Sequence, residues 1–391
     1  MFIARNIQWI SPSIRRWRAA LTIVLAVAAF AVCGCHRKVA IPELSPRPVE
    51  FTDTFFDVWP MHPDRAFIAG SRGKLLYTAD GGQHFQQINI GTSLAVLAIQ
   101  MVDDQNGFLA GQDGLVMRTR DGGKSWQRLN SRTRLHIFAL SFPDRLHGFL
   151  VGDRSLVLST SDGGETFFKR QLQRVFSAEL KDDSGAYEEP AYYSVQFVDD
   201  NRGWIVGDEG RIWSTGNGGK SWQEQQSSLM SQWKHELNPG EKPEFADFTL
   251  PTFYGLSFRD AQHGAACGLE GWVAQTDDGG ATWRFAHQAD TPGGPPDNRI
   301  PGMVQGRVRD PLYSVDLYGK AGGVATGNIG TALRLQANSA WGPDQTVPPR
   351  PVPLTQVRFS DELHGWIVGY YGLILHTIDG GKTWRFCYGQ G

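Results

Sequence analysis

Read from its residues, this chain of 391 amino acids is all-β: a seven-bladed β-propeller of four-stranded antiparallel blades with Asp-box turns. Two observations lead there. One octapeptide pattern occurs six times, as TADGGQHF (78–85), TRDGGKSW (119–126), TSDGGETF (160–167), TGNGGKSW (215–222), TDDGGATW (276–283) and TIDGGKTW (377–384). The stretches before it also share a frame, seen in HGFLVGDRSLVLST (147–160), RGWIVGDEGRIWST (202–215), HGAACGLEGWVAQT (263–276) and HGWIVGYYGLILHT (364–377). Recurrence on this scale marks a repeat array.

Each part of the repeat has a physical reading. The paired glycines permit positive φ, so the chain can reverse within a few residues. The acidic position (Asp80, Asp121, Asp162, Asn217, Asp278, Asp379) can accept backbone N–H bonds and brace that turn. The closing aromatic can pack over the turn and restart a strand. No second acid recurs at fixed spacing to complete a metal site, so these residues are expected to be structural and no metal or cofactor is expected. Upstream lie two short apolar runs separated by a Gly turn. Before them comes a third run, ALSFPD (139–144), SVQFVD (194–199), GLSFRD (255–260) or QVRFSD (356–361). Runs bounded by turn residues are strand signals. Each unit is therefore strand, turn, strand, Gly turn, strand, Asp box, strand.

The blade count follows from the spacing. Between the fifth and sixth boxes lies YSVDLYGKAGGVATGNIGTALRLQANSAW (313–341), with the same frame and a degenerate box ending at Trp341. It supplies the seventh unit. The blades are expected at about 51–90, 91–130, 131–171, 191–224, 252–286, 311–341 and 353–388, giving one propeller domain over 51–388. Units of this size with four strands match propeller blades, and a closed ring protects their edges. Residues 49–53 leave two closures open: plain packing of first blade on last, or an added strand.

The N-terminus follows other rules. Arg5, Arg15, Arg16 and Arg18 flank or precede the apolar run 19–32, which is followed by Val32-Cys33-Gly34-Cys35. This describes an export signal over 1–35 with a lipobox, Cys35 being the lipidated residue, then a Pro-containing tether over 36–50. The expected location is the periplasmic side of a bacterial membrane, lipid-anchored. Cys267 and Cys387 fall in different blades, so no disulfide is expected. The formal charge of −2 argues against a nucleic-acid partner.

Strand polarity places all Asp boxes on one face of the ring and the links between blades on the other. The long links, roughly 171–190, 223–250, 287–310 and 336–353, gather there. Long loops on a rigid scaffold are the usual site of recognition. Arg132, Arg134, Arg170, Arg174, Arg307 and Arg309 are the candidate partner-binding residues of that face, since arginine suits bidentate carboxylate recognition. No catalytic motif is present, and no enzyme activity is expected. The alternative is a carbohydrate-active Asp-box propeller, a sialidase-like glycosidase or a lectin, suggested by Arg299-Ile300-Pro301. That tripeptide lies after the fifth box rather than ahead of the boxes, and no pair of carboxylates can be assigned to it.

The frame G-W-x-V-G-x-x-G-x-I-x-x-T-x-D-G-G-K-T-W, in residues 203–222 and 365–384, resembles the photosystem II stability/assembly factor family. That resemblance implies a seven-bladed, non-enzymatic Asp-box propeller of the thylakoid lumen or periplasm, with relatives in non-photosynthetic bacteria. It implies an assembly factor that binds a membrane-protein subunit through an arginine-rich face. In a non-photosynthetic host the partner would be another envelope complex.

Overall fold

The computed structural model describes residues 48–172, 189–225, 227–237, 250–286 and 309–388. The expected export signal, most of the expected tether, Cys35, Arg174, Arg307 and the Arg-Ile-Pro string lie outside these residues. The described chain forms seven four-stranded antiparallel sheets, each built from four strands consecutive in sequence. The innermost strands are Phe55–His62, Val96–Met101, Ile137–Ser141, Tyr192–Phe197, Phe253–Phe258, Leu312–Tyr318 and Leu354–Phe359. The seven-bladed propeller expected from the repeats is what the chain forms.

The apolar run of the repeat is the second strand, and five of these strands (Gly107–Gly111, Gly148–Gly152, Gly203–Gly207, Gly264–Gly268, Gly365–Gly369) are buried at every position. A sheet sandwiched between two others buries both faces, so its strand loses polar alternation. The core is correspondingly divided between blades. Phe108 stacks on Phe142 at 3.7 Å, Trp204 on Phe258 at 3.6 Å and Tyr318 on Phe359 at 3.6 Å, each pair crossing a blade boundary.

These rings explain the glycine that opens the second strand. A Cβ on Gly203 would lie 2.7 Å from the Phe197 ring, and Cβ atoms on Gly148, Gly264 and Gly365 would meet Phe142, Phe258 and Phe359 closer still. The aromatic that ends the inner strand lies directly over the glycine backbone. The preceding His or Arg serves the same turn. His147, His263 and His364 bond Asp144, Asp260 and Asp361 through Nδ1, and Arg202 donates from Nε to Asp199 at 2.8 Å.

The Asp box is a closed hydrogen-bond circuit. In blade 2, Thr119 Oγ1 donates to Asp121 Oδ1 (2.8 Å) and accepts from Gly123 N–H (2.9 Å), while Ser125 donates to Asp121 through both N–H and hydroxyl (2.9 and 2.5 Å). Blade 3 repeats it with Thr160, Asp162, Gly164 and Thr166. The hydroxyls of Ser125 and Thr166, then their backbone N–H groups, hold Asp121 and Asp162 at a pKa of about 2. Asn217 keeps the circuit by donating from Nδ2 to Ser221 Oγ (2.8 Å). Among the described residues no cluster of three or more metal-ligating side chains occurs.

The inner strands have an edge facing the channel, with N–H groups no strand can pair. Side chains of the preceding blade satisfy them. Asp57 accepts from Ile99 N–H (2.8 Å), Gln100 from Phe142 (2.8 Å), Ser141 from Phe197 (2.9 Å), Gln196 from Phe258 (2.7 Å), Ser257 from Leu317 (2.9 Å) and Asp316 from Phe359 (2.7 Å). At the last seam Thr355 donates instead, to Phe55 C=O at 2.7 Å. All seven boundaries are therefore clasped from the channel side. The ring closes by plain packing: Gly372 N–H donates to Asp53 C=O (2.9 Å), a single bridge joins Thr54 to Tyr370, and Val49 is buried in the seam.

Two elements depart from the expected scheme. The link after blade 4 contains an α-helix, α1 (Ser227–Leu237). Its Ser228 and Gln232 hydrogen-bond the backbone of Trp283 and Phe285, covering the outer edge of blade 5. In blade 6 the degenerate box is a tight turn with Ser339 at φ 62°, and Trp341 begins the outer strand, Trp341–Pro343, rather than ending the blade. The expected insertion 336–353 is thus part hairpin, part link. Cys267 and Cys387 are both free thiols.

Candidate functional site: the channel mouth on the link face

A bulge repeated in every blade builds the mouth. Each inner strand pairs its first residue with the last glycine of the second strand, then skips one residue before pairing resumes. A bulged residue is free to be re-aimed. The skipped residues are Phe56, Leu97, Phe138, Tyr193, Tyr254, Tyr313 and Thr355, and all seven line a central cavity of about 820 Å³. Five are aromatic. Phe138 stacks on Tyr193 at 5.4 Å, Tyr193 meets Tyr254 edge-on at 5.0 Å, and Tyr313 follows at 6.0 Å. An aromatic arc therefore spans blades 3 to 6 at the end of the channel where the links lie.

Burial, then the Asp208 carboxylate, raises the Tyr193 and Tyr254 phenols above their ordinary range. Asp208 is itself fixed: it accepts from Ala191 N–H (2.8 Å) and Thr252 Oγ1 (3.3 Å). The arc thus presents neutral phenols beside a fixed negative charge, a surface suited to stacking and hydrogen bonding.

Deeper in the channel sit two buried carboxylates. Burial raises Asp57, and raises Asp316 to about 6 against the pull of Phe359 N–H and Arg358. Asp57 accepts from Val58 and Ile99 N–H, and Asp316 from Ser257 Oγ and Phe359 N–H. Both carboxylates are occupied holding blades together. Arg358 lies 4.0 Å from Asp57 Oδ1 with its guanidinium over the Trp59 ring at 4.6 Å. Arg259 donates to the carbonyls of Lys320 and Gly322.

The arginines named from sequence do not form one group. Arg132 and Arg134 are exposed on the link between blades 2 and 3, just before Phe138, and Arg132 holds a positive φ of 58°. Arg309 is exposed just before the inner strand of blade 6. Arg170 lies elsewhere. It follows the outer strand of blade 3, donates from Nε to Ser159 Oγ (2.7 Å), and lines a separate pocket with Phe168 and Lys220 between blades 3 and 4. None of the aromatic-arc residues is among the candidates named from sequence. The arc's signal was present: Phe55-Phe56, Tyr192-Tyr193 and Phe253-Tyr254 break strand alternation by one residue, as a bulge does.

Comparison with known proteins now adds to this geometry. A family model described as Photosynthesis system II assembly factor YCF48 matches residues 42–136. No curated protein matches the chain. Among solved structures, YCF48 bound to D1 peptide is similar at 18% identity, covering 77% of this chain and 83% of that one, with a TM-score of 0.53. YCF48 from Cyanidioschyzon merolae is similar at 18% identity over 77% and 87%, with a TM-score of 0.54. The GH74 xyloglucanase from Xanthomonas campestris is similar at 12% identity over 87% and 55%, with a TM-score of 0.60. At these identities the structures share the fold alone. The resemblance read from the Asp-box repeat is borne out: this is a seven-bladed Asp-box propeller whose segment 42–136 matches the photosystem II assembly-factor family.

Proposed function

We propose that the protein is a non-enzymatic, membrane-tethered scaffold that seats a segment of a partner membrane protein across the channel mouth and assists assembly of a membrane complex. The observation that carries this reading is the family match over 42–136, which includes Arg132 and Arg134 beside the mouth. A similar propeller solved as YCF48 bound to D1 peptide supports a peptide segment as the ligand. In a photosynthetic host the partner would be a photosystem II subunit, and elsewhere another envelope complex. Cys35 would carry the lipid anchor on the exported side. The hydrogen bonds that Asp57 and Asp316 accept from backbone and hydroxyl donors across blade boundaries support a structural use of both carboxylates rather than a catalytic one. Stacking on the tyrosine arc and charge at Arg132 and Arg134 would share the binding.

The test is capture of partners from solubilised host membranes by the full chain. Wild type should retain a membrane-protein partner. Arg132→Ala/Arg134→Ala and, separately, Tyr193→Leu/Tyr254→Leu should each lose most of it. Unchanged capture by both variants would overturn the mouth as the docking site. Release of sugar from a glycan substrate by wild type would overturn the non-enzymatic reading.

A further inference from the structure

One corner of the link face is apolar in a way the partner-docking reading does not use. Phe51 is 75% exposed and stacks on Tyr371 at 4.9 Å. Tyr371 is 49% exposed and Tyr370 beside it 37%. Ile329, 57% exposed, belongs to the same corner: Gly330 donates to Val352 C=O and Tyr370 to Pro353 C=O, so one link strand joins the two turns. Ile329 and Tyr371 occupy the tips of the turns between second and third strands, at φ 52° and 60°. A β-branched residue pays heavily for that conformation. The result is a set of solvent-exposed apolar side chains at or beside these turn tips.

The chain's own connectivity favours one occupant for this corner. Val49 is buried in the seam between blades 7 and 1, and Glu50 N–H donates to Asp53 Oδ2, so the tether leaves the propeller at a fixed point directly beside Phe51. Between Cys35 and Pro48 there are twelve residues, which reach at most about 40 Å when fully extended. Before Cys35 is the apolar run 19–32. Phe51 is therefore the exposed aromatic of the propeller nearest along the chain to that apolar run. The corner's composition is that of an interfacial contact: tyrosine and phenylalanine at the tips, flanked by Arg72 and by Arg350, which is exposed with its guanidinium over Phe386. The corner's acids are Glu50, exposed, Asp53, which is buried and paired with Lys74 and Arg72, and Asp310, half-buried and accepting from Thr331 Oγ1.

We infer that Phe51, Tyr370, Tyr371 and Ile329 form a lipid-docking corner that lies on the bilayer surface and fixes the propeller's orientation there. This rests on the membrane-tethered reading above. It leaves Phe138, Tyr193 and Tyr254 of the aromatic arc, in blades 3 to 5, for the partner.

The experiment uses the full chain reconstituted with phosphatidylcholine vesicles containing phosphatidylglycerol, with photoreactive benzoylphenylalanine at position 51. A control carries the same group at position 363, because Leu363 is equally apolar, 51% exposed and on the Asp-box face. The expected result is lipid adducts from position 51 and none from 363. Introducing Ile329→Asn should cut the adduct at least threefold while leaving the fold intact, because Asn accepts the left-handed conformation. If the chain sediments with the vesicles but position 51 gives no lipid adduct, or only protein adducts, the corner is refuted and the tether stands. If the chain stays in the supernatant, both fall.

Discussion

The side-chain amide of Gln196 exchanges two hydrogen bonds with the backbone of Phe258 in the next blade, accepting from N–H at 2.7 Å and donating to C=O at 3.0 Å. Gln100 does the same to Phe142 two boundaries earlier. Truncation would leave both part-buried backbone groups of the neighbouring strand without a protein partner, where a fully buried group costs about 1–3 kcal/mol. Gln196→Ala should therefore destabilise the propeller by about 2–4 kcal/mol in chemical denaturation. Because the two clasps are on separate boundaries, Gln100→Ala/Gln196→Ala should show close to the sum of the single losses. A loss below about 0.5 kcal/mol for each single variant would remove the clasps from the account of stability.

His376 is expected to make the last seam acid-sensitive. It is buried, stacks on Trp366 at 4.1 Å and bonds the Pro63 carbonyl of blade 1 from Nε2 at 3.2 Å. Burial lowers its pKa from 6.5 to about 4. The unfolded chain therefore binds this proton more readily than the folded one. The stability at stake is fully present above pH 6.5 and is lost as pH falls toward 4, by about 2–3 kcal/mol. His376→Gln, which cannot charge, should flatten that part of a melting-temperature profile. An unchanged acid slope would show that another group carries it.

Asp316 acts with the opposite sign. Its folded pKa is raised to about 6, so its contribution is most favourable below the unfolded value and is lost as pH rises through 6. Asp316→Asn keeps an acceptor for Phe359 N–H and removes the buried charge. The variant should be more stable than wild type at pH 7.5, by about 1–3 kcal/mol, and the gap should close near pH 4. A variant less stable than wild type at pH 7.5 would mean that attraction to Arg358 outweighs burial.

Gly148 opens the second strand of blade 3 beneath the Phe142 ring. Gly148→Ala should destabilise by about 1–3 kcal/mol through overpacking, and Phe142→Leu in the same chain should recover part of that loss. Additive losses in the double variant would contradict the ring-on-glycine reading of the repeat.

Most of the architecture was legible because the repeat encodes it locally. The paired glycines, the Thr–Asp circuit and the run buried on both faces are all short-range features. What was hidden depends on neighbours in space. The helix α1 is set by its contacts with Trp283 and Phe285, far off in sequence. Arg170 shares a link with insertion residues yet turns to Ser159. The aromatic arc exists only because a bulge in each blade aims one residue at a common axis. Single strands show the doublets Tyr192-Tyr193 or Phe253-Tyr254, but only ring closure brings those rings together.

The seam between blades 7 and 1 has a topological consequence. No strand is shared across it, and Val49 and Cys387 belong to the same apolar cluster, so the propeller begins and finishes side by side. The order in which blades follow one another along the gene is thus arbitrary with respect to the ring. Joining those ends by a short linker and opening the chain within the Pro-rich link 348–353 would yield a circular permutant with every ladder intact and with its new termini in a different sector of the disc.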